Sequence, residues 1–173
     1  MENTKHQLNN FQKTFFNKLS NYLDTKLYFF GSIQRHDYFS GSSDIDVDIF
    51  TENENSTIAK LSNYLKVNKH EFKKVVWKLN TTGELITGYK FMYKDEINQL
   101  VVEFSIYNEK IKKQIINEHN SKTDIPFYAT FLLVIIKFLF YKLHIIPNEW
   151  YTKGKKFILC PLIGKPYDDF VKL

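Results

Sequence analysis

Seven consecutive residues limit what this chain can fold into more than any others. Asp44-Ile45-Asp46-Val47-Asp48-Ile49-Phe50 alternates acidic and apolar side chains with period two. Successive side chains of a strand point to opposite faces, so the stretch predicts a strand with one acidic face and one apolar face. Ile45, Val47 and Ile49 then anchor it on a core. Asp44 and Asp46 share the other face, with Cα atoms about 6.5–7 Å apart. Two carboxylates that close repel unless a cation lies between them or solvent screens them, and hard oxygen donors of this kind suit Mg²⁺. An acidic edge strand facing water is the plainer alternative.

The segments around this strand sort by period. Leu8, Phe11, Phe15, Leu19 and Leu23 recur at spacings of three and four, predicting a helix from about Thr4 to Asp24 with one apolar stripe. Leu27–Phe30 is a short apolar strand running straight into Gly31-Ser32. Ser56 is placed to cap a helix reaching about Val67. Further strands are expected at Glu71–Leu79, Leu85–Tyr93 and Leu100–Tyr107, the last two joined as a hairpin through Lys94–Asn98. Helices are expected over Asn108–Asn117 and Pro126–His144, the latter ended by Pro147, with Asn117–Asp124 as a loop between them. The tail predicts a short strand at Lys156–Cys160 and a short terminal helix. The expected class is α+β, or mixed α/β: a mixed sheet of about five strands with helices on one side, and a small C-terminal helical region. The division falls at 1–120 and 121–173.

Composition excludes little but sharpens some points. A chain of 173 residues, 43% hydrophobic, can bury a proper core as one domain with a small appendage. Its single cysteine, Cys160, rules out a disulfide within the chain, which fits a reducing, cytoplasmic setting. It reads as a buried small side chain. The polar opening residues carry no secretory signal. The net charge of +5 is spread along the chain, with pairs at Lys73-Lys74, Lys112-Lys113 and Lys155-Lys156. It reads as solvated surface or as a surface tolerant of polyanions. Ile125–Ile146 is strongly apolar, but Lys137, Lys142 and His144 interrupt it, and a spanning helix needs about 20 apolar residues. It reads as a buried core helix rather than a membrane segment.

Chemistry concentrates between Tyr28 and Phe50. A glycine where a strand ends allows a tight turn and the close approach of a ligand, and exposed N–H groups with a serine hydroxyl can hold phosphate oxygens. Glu103, flanked by Val102 and Phe104, puts a charge inside a β run, where isolated charge is costly. A metal partner removes that cost; a solvent-facing position is the alternative. Asp48 extends the acidic face and could add a ligand or pair with a lysine. His36 reads as a loop histidine, and Trp150 and Tyr151 as packing residues that could instead stack on a base.

Together these residues resemble the nucleotidyltransferase superfamily related to DNA polymerase β. Its pattern of apolar strand, Gly-Ser, a gap, Asp-x-Asp and a third carboxylate on a later strand is met by Gly31-Ser32, the eleven residues Ile33–Ser43, Asp44-Ile45-Asp46 and Glu103. The resemblance covers roughly Leu27–Tyr107 and implies a nucleotidyltransferase palm. It implies that Asp44, Asp46 and Glu103 ligate Mg²⁺ or Mn²⁺, with Glu103 also a base for the attacking hydroxyl. It assigns Gly31, Ser32, Arg35 and Ser43 to a nucleoside triphosphate such as ATP. It places the helix around Phe131–His144 beside the nucleotide pocket. The sequence departs from the pattern in using Glu as the third acid, and in carrying His36-Asp37-Tyr38 where many relatives have a glycine. The implied reaction moves a nucleoside monophosphate from an NTP to a hydroxyl, a nucleic-acid end among the acceptors, and releases pyrophosphate. A small template-directed polymerase of the family X kind is a second reading. A noncatalytic nucleotide-binding or interaction module on the same fold is a third. Oligomeric state is open.

Overall fold

The computed structural model describes residues 4–123, 125–163 and 171–172. Helix α1 spans Asn10–Leu23 and so starts later than its apolar spacing predicts. The reason is a capping box. Asn9 Oδ1 accepts from the Gln12 N–H at 2.8 Å, and Gln12 Oε1 accepts from the Asn9 N–H at 3.0 Å, satisfying two donors that a helix start leaves without partners. The buried stripe is Gln12, Phe16, Leu19 and Leu23, while Phe11 is 38% exposed. Helix α2 spans Glu54–Leu65 and is capped by Asn53, not Ser56: Asn53 Oδ1 accepts from the Ser56 N–H at 3.0 Å.

Six strands form one mixed sheet: β1 (Leu27–Phe30), β2 (Ile45–Thr51), β3 (Lys73–Lys78), β4 (Leu85–Asp95), β5 (Leu100–Asn108) and the two-residue β6 (Val171–Lys172). Their order is β1-β2-β5-β4-β3-β6. Among the described residues only the β2–β5 pairing is parallel; β4 and β5 form the expected hairpin. Period-two alternation divides the faces. Ile45, Val47 and Ile49 of β2 join Val102, Phe104 and Ile106 of β5 in one core, covered by Phe16 and Leu19 of α1 and Leu61 of α2. Burying each such side chain contributes about 1.5–3 kcal/mol.

The opposite face carries the acids. There α3 (Lys112–Ser121) lays Ile115 against Tyr28, Phe50, Trp77 and Tyr107. Helix α3 runs through most of the expected Asn117–Asp124 loop. Buried Glu118 holds it down: its Oε2 accepts from the Thr81 N–H at 2.9 Å and hydroxyl at 2.8 Å, while Lys122 pairs with Oε1 at 2.6 Å. Polar composition concealed an amphipathic turn whose inward residue is charged and paired with Lys122.

Beyond it, α4 (Phe127–Tyr141) and α5 (Asn148–Ile163) form a helical hairpin. The expected strand at Lys156–Cys160 is therefore helix. Gly154 lets the two helices close, since a Cβ there would lie 2.2 Å from Ile136 Cδ1, and Tyr151 stacks on Phe140 at 4.3 Å. Tyr151 is thus a packing residue, whereas Trp150 is exposed. Pro147 precedes α5 rather than ending α4. Cys160 is half-buried and free. The expected terminal helix lies outside the described residues, apart from Val171–Lys172, which is strand.

Helix α4 is not the buried core helix its composition predicts. It buries only Ala129, Leu133 and Lys137, one residue per turn, and leaves Phe127, Phe131, Leu132 and Phe138 exposed. Among the described residues no helix is long and apolar enough to cross a membrane.

Candidate active site

The register of the sheet brings the Gly31 turn onto the acids. Phe30, the last residue of β1, pairs with Asp46 of β2, and the chain turns at once into the 3-10 segment Gly31–Gln34. Gly31 has φ +68°, and a Cβ on it would lie 1.7 Å from Asp46 Oδ2. Any side chain here would both strain the backbone and evict the carboxylate. On the other side of β2, β5 runs parallel with Asp46 opposite Glu103 and Asp48 opposite Ser105. Gly31, Asp46, Asp48 and Glu103 share a cleft of about 110 Å³ with Lys90 and His119.

Charge in this cleft is crowded. Burial, then the charges of Asp44 and Glu103, push the Asp46 carboxyl up to about 8, against the opposing pull of Lys90 and Lys155. Glu103 is half-buried and accepts from Lys90 Nζ, which reaches across from β4. Burial works against the Lys90 ammonium, but Glu103, Asp46 and Asp48 around it raise its pKa. Asp48 pairs with a histidine rather than the lysine its position suggests. Its Oδ2 accepts from His119 Nε2 at 3.0 Å, and the imidazole stacks on Phe30 with centroids 4.0 Å apart.

The loop after Ser32 is fixed by a buried charge cluster. Arg35 donates to Asp37 from Nε at 2.8 Å and from Nη2 at 3.2 Å. Lys137 of α4 pairs with Asp37 Oδ2 at 2.9 Å and donates to its carbonyl at 2.8 Å. Burial alone would raise the Asp37 pKa; the two cations instead hold it down to about 2. Burial lowers that of Lys137, with Asp37 opposing.

The structure thus brings Gly31, Asp46 and Glu103 together and sets the other predicted residues around them. Asp44 stands just before β2, near enough for its charge to act on Asp46. Ser32 is buried beside Gly31, and among the described residues its Oγ has no hydrogen-bond partner. Arg35 lines the cleft but is clamped on Asp37. Ser43 is not brought to the cleft: its Oγ accepts from the Phe39 N–H at 3.2 Å and lies 3.4 Å from Lys137 Nζ. Among the described residues, no three His, Cys, Asp or Glu side chains converge as a metal-holding group in this arrangement, in which Glu103 turns to Lys90 and Asp48 to His119.

Sequence reasoning passed over Lys90, His119 and the Asp37–Lys137 pair. Lys90 had a signal, because hairpin register makes it a diagonal neighbour of Glu103. Asp37 and Lys137 lie 100 residues apart, and no local pattern joins them.

A sheet that sets a glycine turn over paired carboxylates defines a class of protein, and the comparison with known families agrees. The nucleotidyltransferase domain family matches residues 12–126, from α1 through α3. The chain belongs to that family and carries a nucleotidyltransferase domain. No curated protein and no solved structure matches it.

Proposed function

We propose that this protein transfers a nucleoside monophosphate from an NTP to a hydroxyl acceptor, with a divalent cation bound at Asp44 and Asp46 and Glu103 as the third acid. The observation that carries this reading is the closure of the Gly31 turn over the Asp46 carboxylate, which leaves no room for a side chain at position 31. The donor chemistry fits Mg²⁺ or Mn²⁺. Every candidate ligand is a hard oxygen, and the repulsion of Asp44 and Glu103 on Asp46 is the kind of charge excess a divalent ion relieves. When bound, such an ion would neutralise charge on the triphosphate and on the developing oxyanions.

The protein's own residues account for the rest. The Gly31 backbone and the unpartnered Ser32 hydroxyl hold phosphate oxygens. Arg35 contributes positive charge from the wall while it braces the loop through Asp37. Ser43, as a partner of Phe39 and Lys137, supports that loop. In the transfer, the acceptor oxygen bonds to the α-phosphorus, the bond from that phosphorus to the bridging oxygen breaks, pyrophosphate leaves, and the hydroxyl proton passes to Glu103. A nucleic-acid end is the acceptor that the net charge of +5 favours.

Pyrophosphate release is the test. Each NTP is offered with Mg²⁺ or Mn²⁺ to RNA, DNA, protein and small-molecule hydroxyls. Release that requires one acceptor class is expected, and with nucleic acid it should weaken steeply as salt rises. No release with any pairing would contradict the reading and favour a noncatalytic module.

A further inference from the structure

Lys90 stands where a second positive charge of the site would be needed. It comes from β4, whose antiparallel register with β5 places Lys90 opposite Ser105 and Met92 opposite Glu103. Its side chain crosses to Glu103 Oε1, with side-chain exposures of 25% and 27% for the two partners. Both residues line the cleft that holds Asp46 and Asp48. In this state the third carboxylate is already neutralised by the protein itself.

We infer that Lys90 is a built-in counter-ion that competes with a divalent cation for Glu103, so that full cation occupancy of the site requires Lys90 to be displaced. The inference rests on the cation reading of the site given above. The chemistry is that of a charge-assisted hydrogen bond, which has to be broken before the carboxylate oxygen can ligate anything else. Its ammonium is a compact charge on a flexible stem, which suits a group that must leave and return. While Lys90 holds Glu103, the site also keeps a cation when no metal is bound, which limits repulsion among its acids.

Binding of Mn²⁺ alone, followed by calorimetry without nucleotide, tests this. Lys90→Met is expected to bind Mn²⁺ about tenfold more tightly than the parent, the factor a charged hydrogen bond is worth. Lys90→Arg keeps the charge and is expected to behave as the parent. A second measurement needs no variant. Reductive methylation of the parent, mapped by mass spectrometry, is expected to label Lys90 more when Mn²⁺ saturates the site. Equal or weaker binding by Lys90→Met, or unchanged labelling of Lys90, would overturn the inference while leaving the cation site standing. Absence of Mn²⁺ binding in both parent and variant would remove the cation site itself, and the inference with it.

Discussion

Gly31 meets two demands at one position. The left-handed backbone at φ +68° is strained for a residue with a Cβ, and the Asp46 carboxylate occupies the space a Cβ would take. Gly31→Ala is therefore expected to lower stability by about 1–3 kcal/mol and to displace Asp46. Denaturant unfolding measures the first effect, and loss of Mn²⁺ binding reports the second. Full binding by a folded Gly31→Ala protein would show that the turn and the acid are not linked. At this scale much was legible in the sequence. Glycine after an apolar strand, and aspartates at every second position, are local signals, and strand geometry alone puts the aspartates on one face. Residues that act through side-chain partners were not legible: Lys90 needed the register between β4 and β5, and His119 needed the docking of α3 on the sheet.

Elements bring the distant partners together. Helix α4 carries Lys137 to Asp37 in the loop that follows Ser32, and the two side chains are 3% and 0% exposed. Lys137 is one of two cations on Asp37, the other being Arg35, and breaking a buried ion pair outright costs about 3–5 kcal/mol. Lys137→Met is expected to lower stability by at most that amount, because Arg35 still pairs with Asp37. The Asp37 pKa is held at about 2, below its ordinary 3.8, so its contribution of about 2 kcal/mol is whole above pH 4 and is lost as pH falls through about 2. Thermal melts between pH 4 and pH 2 should therefore fall more steeply for the parent than for Lys137→Met. Parallel curves would mean that Asp37 does not draw its ionisation from this pair. Element types followed from period, and element ends did not. The Asn9 and Asn53 caps each moved a helix start, because side-chain hydrogen bonding, not hydrophobic spacing, decides where a helix begins.

The molecule as a whole assembles its site from the centre of the sheet outward. The alternation in β2 sends Ile45, Val47 and Ile49 into the core beneath α1 and α2 and Asp46, Asp48 and Phe50 to the opposite face, so the strand that anchors the fold also presents the acids. That division was readable from seven residues. The C-terminal hairpin was not. An apolar composition on all sides reads as burial, yet α4 buries one residue per turn and leaves large side chains outside. Lys156–Cys160 reads as strand when taken alone and becomes helix through its packing on α4. Local sequence cannot anticipate such a contact.

The proposed function makes the Gly31 turn and the paired acids one catalytic centre for nucleotidyl transfer. Its most direct measurement is transfer of α-labelled NTP to the acceptor panel by the parent and by Asp44→Asn/Asp46→Asn, with folding of each checked by circular dichroism. We expect the double variant to keep its fold and to lose at least about a hundredfold of the rate, as when charge stabilisation is removed from a transition state. Equal transfer by parent and variant would contradict the account.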